Sequence, residues 1–472
     1  MHDKTMGLRS GITCALLIIA GWTGSASAAE WYVNNTAGSD ANDGRSPATA
    51  FATIGKAIAA CRTSDTLVLA NTGTAYGESI VLSRLGGTPA YPFVIEGNGA
   101  VICGFATLSA ERWEKKEGGI WFYPQPRPNM NPYLRFNGQR APSLRTAENL
   151  KPGQYGWTEA GLFLIPEEGK VPADYSIDGT MLSSGLIIYG ASYIHCRNLI
   201  AEGFSNDGFN IHGDCQGIVC ENIEARHNGD DGFSIHEDVS SIVRNGWFHH
   251  NDYGIQDVHS GRSSYYGILA EDNRISGVEF HGGIHLLVDA VVRSNAGSQV
   301  KITHSPAKHI GLSDSNRAAT GLSVLKNVLT AGGTIGLEVD GKGSVVASNC
   351  EFRGSATGVL VALEATCHLT ACVIHGCRDF ELATLSTQVE LDHNVYHPGR
   401  FMWQQEFGPE QWEAFRHATG QDRESRIAQP VFALNGTLQA PLSDPPPKSA
   451  QLRPGLTSPA FTWAPIEPES KE

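Results

Sequence analysis

One short pattern returns along the second half of this chain, and it limits the possible folds more than any other feature. It reads NDGFNIHG (206–213), DDGFSIHE (230–237), DYGIQDVHS (252–260), ISGVEFHGG (275–283) and GSQVKITHS (297–305). The third position of each copy steps through Gly208, Gly232, Gly254, Gly277 and Gln299, at intervals of 24, 22, 23 and 22 residues. A second β-rich segment precedes each copy, as in YIHCRNLIAEG, GIVCENIEARHN and LLVDAVVRSN. A period near 22 made of short strands and Gly/Asn/Asp turns is one coil of a solenoid. No single coil has enough apolar residues for its own core. Stacking coils about 4.8 Å apart lets them share one.

The sequence therefore predicts an all-β chain, a right-handed parallel β-helix. A leucine-rich horseshoe has a similar period, but its LxxLxLxxN consensus is absent. Asn206, Asn228, Asn251, Asn273 and Asn295 recur at the turns, where Asn tolerates left-handed backbone and stacked amides bond to one another. Cys196 and Cys220, 24 apart, and Cys350 and Cys372, 22 apart, fall at equivalent positions and are expected to stack inward as small buried hydrophobes.

Both ends of a coil stack need covers. Ser46 to Cys61 has helical apolar spacing, Ser46 as N-cap and Pro47 in the first turn, which predicts an N-terminal capping helix. Residues 109–180 break the period, carry Trp113, Trp121 and Trp157, and predict a small antiparallel β insertion. QWEAFRHATGQD predicts a helix ending at Gly420, followed by a Pro-rich tail. Lys4 and Arg9, the apolar run Gly11–Gly21 and Ala26-Ser27-Ala28 fit a cleaved signal peptide. The expected organisation is a signal peptide over 1–28, β-helix with its insertion over 29–400, and helix plus tail over 401–472. The protein is expected to be secreted or periplasmic and monomeric, with no membrane span.

The formal charge is −14, which argues against a nucleic-acid partner. It also opposes a polyanionic substrate unless bound cations or a local basic cleft compensate. Nine cysteines remain beyond the leader, an odd number that does not read as a closed disulfide set.

The residues that point to chemistry form a ladder. Asp207, Asp231 and Tyr253 share one column, and Asn206, Asp230 and Asp252 share the next. The ladder is expected on one exposed face. Like charges about 5 Å apart do not all stay ionised unaided, so either a cation neutralises them or one carboxyl keeps a proton. The first case suits Ca²⁺ held by Asp207, Asp230 and Asp231. The second suits acid–base catalysis. Turn chemistry alone is the third possibility, because Asn-Asp-Gly and Asp-Asp-Gly are ordinary turn sequences. His212, His236 and His281 share a column two residues past Asn210, Ser234 and Glu279, so both columns face the same way. His259 and His304 lie near. His212, His236, Glu279, His281 and Arg262 are the expected substrate contacts.

WYVNNTAGSDANDGRSPATAFATIGKAI, PFVIEG and QWEAFRHATGQD…PVF…LRPG resemble segments of secreted pectate-lyase-like β-helix proteins, a resemblance spanning nearly the whole chain beyond the leader. It implies the fold. These proteins include lyases, hydrolases, epimerases and non-enzymes. Asp207, Asp230 and Asp231 are similar to the calcium ligands of family-nine pectate lyases; the final Asp of that pattern falls on Ser234, and the catalytic Lys on Gln256, with Glu279 and Lys301 further along the column. Asn206-Asp207-Gly208 and Asp230-Asp231 also resemble the polygalacturonase series, where Tyr253 stands for its His. DYGIQDVH is loosely similar to a mannuronan-epimerase motif, with Val258 for Pro, which adds Tyr253, Asp257 and His259 as candidates.

These readings lead to a secreted carbohydrate-active protein that depolymerises a uronic-acid-containing polysaccharide. In the eliminating version Ca²⁺ binds the sugar carboxylate and Lys301 or His259 takes a proton. The alternatives are a polygalacturonase-type hydrolase, with the same aspartates as acid and base, and a non-catalytic glycan-binding protein.

Overall fold

A computed structural model describes residues 28–144, 146–304 and 321–430. The leader expected over 1–28, save Ala28, and the Pro-rich tail lie outside the described residues.

The repeat is a stack of coils. Each coil gives strands to two long sheets, one of seventeen strands and one of twelve. Neighbouring coils pair in parallel, except for a terminal hairpin in the smaller sheet. Alternation along each strand turns one set of side chains inward. Leu186, Phe209, Phe233, Ile255, Val278 and Val300 form one inward column, which continues through Leu337, Val359, Leu382 and Phe401. All ten are fully buried. Cys196 pairs with Cys220 in register, and both are buried. The Val373 amide donates to the Cys350 carbonyl (2.9 Å), which places buried Cys372 one coil beyond buried Cys350. All nine described cysteines are free thiols.

The larger sheet bends in mid-strand at one residue per coil. Asn198, Asn222 and Asn245 adopt φ of 55°, 52° and 54° there, and their amides bond from coil to coil at 3.2 and 3.1 Å. Asn pays little for left-handed backbone, so the corner is fixed by side chains as well as by the ladder.

The covers form at both ends. The N-terminal cover is two pieces rather than the single helix expected from Ser46 to Cys61. A 3-10 turn over Pro47–Thr49 and an α-helix over Ile54–Ala60 are separated at Phe51. Phe51 leaves the helical path because its amide donates to Tyr32 and its carbonyl accepts from Asn34, joining it to the first strand. Thr53 then caps the α-helix through Lys56 N–H. At the other end the helix Trp412–Thr419 stops at left-handed Gly420 and stacks buried Phe415 on Phe401, with ring centroids 4.4 Å apart.

The insertion consists of two small sheets, built mainly of antiparallel pairs, around a separate core of Trp113, Tyr123, Tyr155, Trp157, Leu162 and Leu164. It leaves the stack after Phe93–Cys103 in the larger sheet and returns before Leu186–Tyr189 in the smaller one. It thus replaces the turn that carries Asn206, Asp230 and Asp252 in later coils, and it hangs over those turns.

Candidate functional site

The repeated glycines sit where an amide ladder runs inside the coil. Asn228, Asn251, Asn273 and Asn295 stack there. Each Asn Oδ1 of the later coil accepts both the main-chain N–H and the side-chain amide of the earlier one, at 2.8–3.3 Å. Gln299 Oε1 ends the series by accepting from Asn295 at 3.2 and 2.8 Å. Asn206 stands outside this ladder and donates instead to Ser184 (3.1 Å) and Asp207 (2.6 Å). A Cβ on Gly232 would lie 2.6 Å from the Gly254 carbonyl and 2.8 Å from the Asn251 amide. The glycine column exists because two coils and the ladder meet there, and Gln299 stands where the ladder stops.

This corner sets the backbone that carries the aspartates. Asp207 accepts from Asn206, Asn210 and the Asp231 N–H (3.1 Å). Asp207 and Asp231 are buried, only 2% and 3% exposed, contrary to the exposed face expected. Their cover comes from neighbouring coil side chains, Asn206 and Asn210 on Asp207 among them. Burial first, and then Asp230, push the Asp207 carboxyl well above the usual carboxylate range. Burial, with Asp207 and Asp230, does the same for Asp231. Asp231 Oδ1 meets no hydrogen-bond donor among the described residues. Asp230 is half-buried; burial and then Asp252 raise it to about 6, while Arg274 and Asn131 act the other way. Tyr253, in register with Asp231, is raised to about 12 by burial, then by Glu279 and Asp231.

The outward column is in register as Asn210, Ser234, Gln256, Glu279, Lys301 and Glu338. Lys301 pairs with Glu338 at 3.2 Å. Burial acts downward on its ammonium, but Glu338 and Glu279 outweigh it and hold the pKa above the ordinary lysine range. The histidines follow two residues on. His212 and His236 stack face to face, centroids 4.4 Å apart, and His281 Nε2 lies 2.7 Å from Glu279. Val258 interrupts the column between His236 and His281. His259 takes left-handed backbone beside His236, and its Nδ1 accepts from the Glu237 amide at 3.1 Å. Asp257 turns inward, fully buried, to Tyr265 (2.9 Å) and His285 (3.4 Å). Arg262 belongs to the larger sheet, beyond the turn, and is exposed.

The insertion supplies what the repeat could not reveal. Asn131 donates to Asp230 (3.1 Å), the Tyr133 hydroxyl to the His227 carbonyl (2.6 Å), and Arg135 to Glu202 (3.3 Å). Between insertion and coils lies a cavity of 260 Å³ lined by Arg127, Asn131, Arg140, Tyr155, Trp157, Asp252 and Arg274, among others. Arg274 Nε donates to Asp252 at 2.7 Å, and Arg140, stacked on Tyr133, reaches the same carboxylate at 3.4 Å. Two guanidinium groups thus meet one oxygen of Asp252, and Arg127 lines the same cavity, so three arginines gather around one lining carboxylate on an acidic protein. The sequence held one signal of this, the NG hairpin that presents Arg140.

Calcium finds no ready ligand set here. Among the described residues no three His, Cys, Asp or Glu side chains are grouped as metal ligands. Both Asp207 oxygens already accept N–H groups, and Asp252 faces guanidinium. These carboxyls are arranged to hold protons at different affinities, the setting for acid–base chemistry.

No protein-family model matches the chain, and no curated protein sequence matches it. Solved structures do. The complex of XylC with xylose aligns with a TM-score of 0.57 at 12% identity, over 84% of this chain and 82% of that one. The fold is a right-handed parallel β-helix. A glycoside hydrolase (TM-score 0.47, 12% identity, 79% and 94% covered) and pectate lyase Pel9A (0.46, 13%, 77% and 78%) also align. At these identities the β-helix likeness concerns architecture. No helix among the described residues is long and apolar enough to cross a membrane.

Proposed function

We propose that this β-helix protein binds a uronic-acid-containing polysaccharide in the cleft under its insertion and hydrolyses it there. The observation that carries the reading is the cleft, where Arg127, Arg140 and Arg274 gather beside a stack of carboxyls with separated proton affinities. Arginine matches a sugar carboxylate in bidentate geometry and supplies the basic cleft that an acidic protein needs for an acidic substrate. The likeness to XylC in complex with xylose supports a sugar ligand.

In this reading Asp231, whose burial favours the protonated form, gives its proton to the glycosidic oxygen as the bond to the anomeric carbon breaks. Asp230, ionised above about 6, removes a proton from water, whose hydroxyl joins the anomeric carbon. Asp207 holds the Asp231 backbone in place. Tyr253 and Glu279 face the same groove.

β-Elimination is the second reading, favoured by the arginines, since neutralising the sugar carboxylate acidifies the adjacent C–H. Lys301 is a poor base for it, because Glu338 keeps it protonated. Incubation with uronans, with and without chelator, separates the cases. Hydrolysis gives new reducing ends without the ultraviolet absorbance of an unsaturated sugar, and chelator leaves the rate unchanged. Absorbing product supports elimination. Binding without either product supports a non-catalytic glycan binder.

A further inference from the structure

The column that carries Asn210 and Ser234 changes character toward the N-terminal cover. Its earlier members are Val81 and Ile187, and two residues on, Tyr189 stands in register with His212. Tyr189 is 56% exposed and Val81 46%. An aromatic ring and an aliphatic neighbour are therefore left open on a sheet face, continuous with the stacked, parallel rings of His212 and His236. Glu237 fixes this stack from the side. Its carboxylate accepts from the Gly213 N–H (2.8 Å) and lies 3.6 Å from His212 Nδ1. His212 closes the strand that follows Asp207, His236 directly follows the strand that opens at Asp231, and Tyr189 stands one coil before them. The aromatic surface therefore lies on the same sheet as the aspartate ladder, within a few residues and coils of it.

We infer that Tyr189, flanked by the His212–His236 stack, is a platform on which a further sugar ring of the polysaccharide lies, one or more units from the bond that is cleaved. The apolar face of a sugar packs on an aromatic face, and a tyrosine has only two side-chain torsions to fix in making that contact. Burial, and for His236 also His212, holds both histidines neutral at physiological pH, His236 at about 4, so the stack presents rings rather than charges. A ring set apart from the reacting centre contributes to binding of long chains and not of short ones.

The inference rests on the proposed polysaccharide substrate, and binding rather than turnover tests it. The full-length Asp231→Asn protein, with oligouronides of increasing length, is titrated by calorimetry with and without Tyr189→Ala. The expected result is about tenfold weaker binding of long oligosaccharides, unchanged binding of the shortest that binds, and recovery with Tyr189→Phe. Equal binding of long oligosaccharides by both proteins overturns the platform alone. So does a change from dimer to monomer on Tyr189→Ala in sedimentation, which would make a second copy the occupant of this face. Absence of binding by the parent at every length overturns the polysaccharide reading and the platform with it.

Discussion

The coils under the insertion and the coils beyond Glu338 share one backbone plan and fill two of its positions differently. In the outward column Asn210, Ser234, Gln256, Glu279, Lys301 and Glu338 give way to Leu360, Ala383 and Met402. At the inner corner, two residues past Arg226, His249, Glu271 and Arg293, stand the four ladder asparagines. The same place after Ala331, Arg353 and His375 holds Gly333, Ser355 and Cys377. The later coils stack as regularly without an amide ladder, so the ladder is not a requirement of the architecture. It begins in the coils that carry Asp230, Asp231 and Asp252, where a fixed corner holds carboxyls in place, and runs on for two coils beyond them to Asn295.

The largest expected effect tests whether the polar column is a working surface. Asp231→Asn should lower turnover by roughly 10²- to 10⁴-fold with a thermal midpoint near that of the wild type, the range for removing a general acid. Glu338→Gln, at the end of the column, should change turnover less than about tenfold. Equal losses in the two variants would erase the distinction between the two regions. Steady-state kinetics and melting curves on both variants decide it.

Next in size is the ladder. Asn251→Ala leaves the Asn228 main-chain and side-chain donors without their acceptor in the core, at about 1–3 kcal/mol for each group. A loss of at least about 2 kcal/mol in denaturant unfolding is therefore expected. Ser355→Ala removes one hydrogen bond to the Gly332 carbonyl and should cost only about 1 kcal/mol.

A pH series sharpens the comparison at Asp230. Its folded pKa, about 6, lies above the ordinary 3.8, so the folded state holds this proton more tightly. That contribution to stability is complete below about 3.8 and is lost as pH rises through about 6. Asp230→Asn should therefore gain on the wild type between pH 4 and 7, by at most about 2–3 kcal/mol and by less once solvent screening of this half-buried group is allowed for. His236 has the opposite dependence. Its pKa falls from 6.5 to about 4, so its neutral form favours folding, and that stability is lost as pH drops through this window. It is present in both proteins and cancels in their difference. Urea midpoints of the pair at several pH values give the slope.

The smallest effect belongs to Lys301→Ala. It breaks a half-buried pair with Glu338 and should cost about 1 kcal/mol or less in urea unfolding. A large loss of activity with this variant would instead revive Lys301 as a base.

The coil was legible because its partners lie 22–24 residues apart, a spacing that repeats. Cys196 with Cys220, and the inward phenylalanines, follow from that period alone. The glycine column was also visible, but its cause was not, since the contact of Gly232 with Asn251 crosses from one coil to the next. The cleft was hidden for a different reason. Asn131 meets Asp230 across 99 residues and Arg140 meets Asp252 across 112, and neither distance repeats anywhere in the chain. Phe51 misled the helix reading because its pairing with the first strand outweighed a favourable local pattern.

The ladder also makes the coil a unit of length. From Gly208 to Gly277 every coil offers the next the same glycine, the same amide and the same carbonyl, so removing one whole repeat joins like to like. Such a deletion would shorten the rod by one step of about 4.8 Å and bring Lys301 nearer the aspartates by the same step. Beyond Gln299 that interchangeability ends, because its side chain completes the last amide and has no copy to hand it to. On the N-terminal side of Gln299 a gained or lost coil therefore finds a matching ladder partner, and beyond it the coils join through their strands without that ladder.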